Sequence, residues 1–142
     1  MIINMVVGFY FNEDLTKVLL VEKKSPKWQK GLLNGIGGKC DNGEFPNDAI
    51  VREFKEEVGI DVDILHWKQF CLLHLSGNNW RVHFYKSIGS FDNINDKNDV
   101  GENIRICKVN DLYKFPVIEN LRWLIPMCFD RQLQFVRAYN HS

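Results

Sequence analysis

Three glutamates, Glu53, Glu56 and Glu57, follow Arg52 inside the stretch from Gly38 to Ile60. Grouped carboxylates offer only oxygen donors, which suit a hard divalent cation such as Mg2+ or Mn2+. The grouping costs stability. Two carboxylates about 5.5 Å apart repel by about 3 kcal/mol at an effective dielectric of about 20. A helix selected for stability alone would place lysines there. The competing explanation is a solvated acidic helix face, which surface helices often carry. The rest of the stretch decides between the two.

The element that must position these groups is a helix. Pro46 has the fixed φ that suits a first helical position. Asp48 puts negative charge in the first turn. Ile50, Phe54 and Val58 recur every four residues as an apolar stripe. Gly59 supplies a left-handed end, and Ile60 can pack back on it. The pattern predicts a helix over Pro46–Val58. At about 100° per residue, the three glutamates fall within roughly 100° of arc beside the stripe, with Glu57 nearest the buried side.

The chain of 142 residues is long enough for one domain, 1–142, with a sizeable core. Eighteen Lys and Arg balance eighteen Asp and Glu, so no bulk charge draws the protein to nucleic acid or to membranes. No apolar run is long enough to span a bilayer. Met1-Ile-Ile-Asn-Met-Val-Val lacks the basic start of a signal peptide. Cys40, Cys71, Cys107 and Cys128 are isolated, without zinc spacing, and fit reduced thiols in a cytoplasmic protein.

Ile2–Phe11 and Lys17–Lys24 read as two strands of a hairpin about a turn at 12–14. Ser25–Lys30 is a loop, and Leu32–Gly35 is short and extended. After the helix, Val62–Leu75 reads as one long or broken strand, and Trp80–Ile88 returns beyond a turn. An Asn- and Asp-rich loop covers 89–101. Asn103–Val109 is a further strand. Leu121, Leu124, Ile125 and Phe129 give Ile118–Asp130 helical spacing, which Pro126 should kink or shorten. Leu133–Tyr139 is a last strand or a ragged tail. Strands alternating irregularly with two helices indicate an α+β or mixed α/β fold.

The full pattern overturns the solvated-face explanation. Gly38, Glu44, Arg52, Glu53, Phe54, Glu56, Glu57, Gly59 and Ile60 occupy every fixed position of the Nudix box, so the chain resembles the Nudix hydrolases. That resemblance implies an α-β-α sandwich around a mixed sheet. It also implies Mg2+- or Mn2+-dependent hydrolysis of a nucleoside diphosphate linked to a group X. By motif position, Glu53, Glu56 and Glu57 are the implied metal ligands, with the Gly38 carbonyl as another. Glu44, Gly59 and Arg52 are implied scaffolding, Arg52 pairing with box carboxylates. Family members take the water-activating base from the box or from a later loop, and Glu102 is a candidate for it.

Substrate choice lies outside the box. Leu33-Asn34-Gly35-Ile36-Gly37-Gly38-Lys39 is similar to a run in mammalian-type oxidised-purine nucleoside triphosphatases, with Leu33 in place of a Trp, where the matching Asn binds the purine. Asn34 either reads a base edge or caps the turn before Gly35. Glu119 and Asn120 are candidates for a second purine contact, and Asn120 is also placed to cap a helix. Trp28 can stack on a base or cover the core rim. Lys23 and Lys39 are candidate phosphate contacts or solvated lysines. Tyr85 is a weak match to a marker of diadenosine polyphosphate enzymes. His66, His74 and His83 alternate with apolar residues and read as structural, and Trp123 reads as core. The resemblance thus implies a nucleotide as partner, most directly a (d)NTP such as 8-oxo-dGTP. ADP-ribose, dinucleotide polyphosphates, capped RNA ends and a non-catalytic nucleotide sensor are the alternatives. Relatives are monomers or homodimers.

Overall fold

The computed structural model describes every residue except 76, 78, 93, 95–102, 141 and 142. Strand β1, Ile3–Phe11, is buried continuously from Val6 to Phe11, as a strand covered on both faces must be. It turns at 12–14 into β2, Lys17–Glu22, and the two pair antiparallel with Tyr10 opposite Leu19. Two short strands follow, β3 (Leu33–Asn34) and β4 (Ile36–Lys39). Helix α1 spans Pro46–Val58, with Pro46 in its first turn and Gly59 left-handed at φ 84°. Its ends coincide with the predicted ones because both are set by local stop signals.

Beyond α1, of the two expected forms, long or broken, the strand takes the broken one. Ile64–His66 is a 3-10 turn capped by the Asp63 side chain, and only Lys68–Leu75 is strand β5. His66 therefore sits exposed on that turn and not in a strand. Strand β6 (Trp80–Ile88) pairs antiparallel with β5 and parallel with β1. Strand β7 (Ile104–Lys108) pairs with β2, and a 3-10 turn over Val109–Lys114 leads to helix α2, Leu121–Phe129. Pro126 lies inside this short helix. The tail forms β8, Val136–Asn140, parallel to β5.

These eight strands make one mixed sheet in the order β3-β2-β1-β6-β5-β8, with β4 added on β1 and β7 on β2. Alternation splits the side chains between two layers. Ala49, Ile50, Phe54 and Val58 of α1 pack with Val6, Leu19, Ile36 and Tyr85 on one face. Leu121, Leu124 and Ile125 of α2 pack with Val7, Phe9, Leu20 and Phe84 on the other. The result is the expected sandwich of helices about a mixed sheet. Trp123 departs from expectation: it is 38% exposed, because Leu121, Leu124 and Ile125 already fill the buried side of α2. Among the described residues no helix is long and apolar enough to cross a membrane.

Candidate active site

The apolar stripe of α1 faces the sheet, so its charged flank stands over the end of β4. Arg52 organises that flank. Its Nε and Nη2 donate to the two oxygens of Glu44, each at 2.9 Å, a bidentate pairing. Nη2 also donates to the Lys39 carbonyl at 3.0 Å. Nη1 donates to Glu53 Oε1 at 3.0 Å and to Glu56 Oε2 at 3.2 Å. Glu44 Oε1 accepts from the Asp41 backbone N–H as well, which ties the loop before α1 to the helix. This pairing with Arg52 holds the Glu44 carboxyl below the usual range, and the same contacts hold the guanidinium firmly charged.

Glu53 and Glu57 behave differently. Burial raises Glu53, against the opposing pull of Arg52. Burial pushes Glu57 up to about 7, helped by the nearby Glu53 charge and opposed by Lys23. Glu57 Oε2 is buried and has no hydrogen-bond partner. A buried carboxylate oxygen left unpaired is costly and calls for a partner. At Gly38, a Cβ would stand 2.6 Å from Glu53 Oε1, so only glycine lets the strand lie against that carboxylate.

Glu56 and Glu57 line a polar cavity of about 370 Å3 with Val21, Lys23, Ser25 and Asn103. Among the described residues, no three acidic, His or Cys side chains are already drawn together as a metal cage. Arg52 occupies oxygens of Glu53 and Glu56. The residues still fit a divalent cation. The donors are oxygens, Glu57 Oε2 lacks a partner, and Gly38 leaves room at Glu53. A larger cavity, about 530 Å3 between α2 and the Val109–Lys114 turn, is apolar and contains no carboxylate.

Other expected site residues are dispersed. Lys23 lines the acidic cavity. Lys39 does not: strand alternation puts Gly38 toward α1 and Lys39 on the opposite face, where Nζ lies 5.1 Å from the Trp80 ring centroid. Asn34 Oδ1 accepts from the Gly35 N–H at 2.8 Å, the capping geometry. The Ile118 N–H donates to the Leu33 carbonyl, bringing the chain before α2 beside β3. There Glu119 is exposed, and Asn120 Oδ1 is buried without a partner and makes no cap. Trp28 is 69% exposed and covers no core rim. Tyr85 is buried and donates to Asn47 Oδ1, so it faces no substrate. His83 contacts Gln69 and Asn4, as a structural histidine should. Glu102 lies outside the described residues. Asn103 was not expected at the cavity. It arrives there because the Glu22 N–H donates to its carbonyl where β7 meets β2, a long-range pairing with no local signal.

A glutamate-bearing helix held by arginine over a glycine strand, inside a helix–sheet–helix sandwich, defines a Nudix-type fold. The family model of the NUDIX domain matches residues 3–126, and the chain belongs to that family. It is 32% identical over 85 residues to the mRNA-decapping enzyme subunit 2 of Saccharomyces cerevisiae, a match over 58% of this chain and 8% of the yeast protein. It is 34% identical over 58 residues to the 8-oxo-dGTP diphosphatase of Escherichia coli, over 41% of this chain and 44% of that one. The chain thus spans less than half of either relative. A MutT structure from work on Aliivibrio salmonicida and Vibrio cholerae superposes with a TM-score of 0.69 at 23% identity, covering 89% of this chain and 95% of that one.

Proposed function

We propose that residues 1–142 act as a single Nudix domain that hydrolyses a nucleoside diphosphate linked to a second group, with a (d)NTP as the leading substrate. The observation that carries this is the buried, partnerless Glu57 oxygen in a polar cavity that also contains Glu56 and Lys23. Glu53, Glu56, Glu57 and the Gly38 carbonyl would hold Mg2+ or Mn2+. Such an ion, when bound, neutralises phosphate oxygens, orients the diphosphate and lowers the pKa of water. Lys23 is placed to contact a phosphate. Arg52 positions Glu53 and Glu56 and anchors Glu44, and so acts through other groups. In the hydrolysis, the water oxygen bonds to one phosphorus. The bridging oxygen leaves with the other phosphate, and the water protons pass to the solvent or the leaving group.

Asn34 and Asn120 are the proposed purine contacts. The support is the partnerless Asn120 oxygen and the pairing that brings its segment beside β3. The yeast relative's action on capped mRNA supports a second substrate, a capped RNA end. The deciding measurement is kcat/KM with Mg2+ over dGTP, 8-oxo-dGTP, the other dNTPs, ADP-ribose, diadenosine tetraphosphate and capped RNA, with products separated by chromatography. A lead of about tenfold for 8-oxo-dGTP, about 1.4 kcal/mol of transition-state discrimination, with release of pyrophosphate, supports the purine reading. A lead for ADP-ribose, a dinucleotide or capped RNA keeps the box chemistry and discards the purine pocket. Tight binding without turnover discards hydrolysis in favour of a sensor.

A further inference from the structure

The α1 face of the sheet is not covered evenly. Helix α1 packs chiefly on β1 and β4. The same face continues over β6, β5 and β8, because Val6 of the α1 layer stands beside His83 and Asn4 beside Arg81. Across those strands the register sets two rows. Arg81, His74 and Tyr139 form one, and His83, Leu72 and Arg137 form the other. Neither row contains a carboxylate.

Three properties of this patch need a common explanation. The His74 and Tyr139 rings are stacked, with centroids 4.7 Å apart and planes 11° apart, and Tyr139 is 65% exposed at the sheet edge. Among the described residues Arg81 and Arg137 take part in no ion pair, as Arg122 and Arg131 also do not, and the Arg137 guanidinium lies 5.9 Å from the Phe135 ring centroid. His74 Nε2 is buried without a partner. The register sets Arg81 directly beside His74 and Arg137 in the neighbouring row, and burial, then these two arginines, holds the His74 imidazole below its usual pKa. Two unneutralised arginines beside an ordered, exposed aromatic ring make an electrostatic and stacking surface.

We propose that this face, centred on Arg81, His74, Arg137 and Tyr139, docks single-stranded nucleic acid, with a base stacked on Tyr139 and phosphates on the two arginines. The proposal does not rest on the hydrolase reading. Tyr139 stands 65% exposed on the last strand of the sheet, unlike a group inside the concavity that buries most of a free nucleotide. An acidic peptide would satisfy the arginines and leave the aromatic ring unused. Zero net charge excludes bulk attraction to a polyanion and leaves a local patch of this kind untouched.

The test is fluorescence anisotropy of a short fluorescein-labelled oligothymidylate with the intact protein over a range of salt concentrations. Engagement of two phosphates gives a slope of log K against log salt of about −1.4. Arg137→Gln is expected to reduce that slope by about 0.7. Tyr139→Ala is expected to weaken binding by about fivefold or more with the slope unchanged, and Tyr139→Phe to restore it. Circular dichroism establishes that each variant is folded. If Tyr139→Ala does not fold, the Arg137→Gln slope and the Tyr139→Phe affinity decide. Absence of binding at low salt overturns the proposal. So does a slope unmoved by Arg137→Gln, or full binding by a folded Tyr139→Ala. Displacement by polyglutamate or by free dTMP as efficiently as by unlabelled oligothymidylate overturns it too.

Discussion

Arg52 grips Glu44 with two parallel hydrogen bonds of 2.9 Å, joining the middle of α1 to the loop that precedes it. Lysine cannot reproduce this fork, because its ammonium is a point charge. Arg52→Lys is therefore expected to lose the bidentate contact while keeping the charge near Glu53 and Glu56. The cost should be about 1–3 kcal/mol, the range for a hydrogen bond to a charged group whose partner is left unmet. A urea melt of the metal-free protein measures it. An unchanged midpoint would show that the fork contributes nothing.

Glu56 is the most exposed of the box carboxylates bonded to Arg52, at 58% against 14% for Glu53. It can leave the guanidinium without uncovering any core. Glu56→Gln removes a charge from the proposed metal site and keeps the shape. Turnover is expected to fall at least about 100-fold, equivalent to about 2.7 kcal/mol of transition-state stabilisation. The far-ultraviolet circular dichroism should not change. Near-normal turnover would remove Glu56 from the metal ligands.

Legibility from sequence follows the range of the forces involved. The ends of α1 were readable because Pro46, Asp48 and Gly59 act within one turn. The apolar stripe of α1 likewise named Ile50, Phe54 and Val58 among its buried residues, though not Ala49. For Lys39 the match of its neighbours to a family run left two alternatives, and a period of two, which sends it to the face opposite Gly38, favours the solvated lysine. The placing of His66 on a turn, and the point at which Val62–Leu75 breaks, depended on the Asp63 cap, a local signal hidden by flanking apolar residues. Asn103 at the cavity and Tyr139 beside His74 depended on pairings between distant strands, β2 with β7 and β5 with β8. No local pattern encodes such pairings.

Gly37 and Gly38 are neighbours with different constraints, and alanine at each should separate fold from function. At Gly37 a Cβ would run into the Val6 backbone carbonyl, which cannot move without breaking the β1–β4 pairing. Gly37→Ala is expected to lose soluble folded protein. At Gly38 the obstacle is the end of the Glu53 side chain, which can swing away. Gly38→Ala should fold and lower metal-dependent turnover by about 10–100-fold, the usual cost of disturbing a group that orients a ligand. Equal thermal stabilities for the two variants would contradict this division.

Glu57 links pH, stability and metal. Its folded pKa is raised to about 7, chiefly by burial, from an ordinary value of 4.5. Folding of the metal-free protein therefore takes up a proton at Glu57 between those values. The stabilisation from this group is fully present below the ordinary carboxyl pKa and is lost as pH rises through about 7. A divalent ion needs the anionic form, so its effect has the opposite sign. The thermal shift given by saturating Mn2+ should thus be larger at about pH 8 than at about pH 6. Glu57→Gln should flatten that dependence and slightly stabilise the metal-free protein at the higher pH, because it leaves no charge to bury. Differential scanning fluorimetry at matched ionic strength reads both effects. A Mn2+ shift independent of pH, or one fully retained in Glu57→Gln, would place the ion elsewhere.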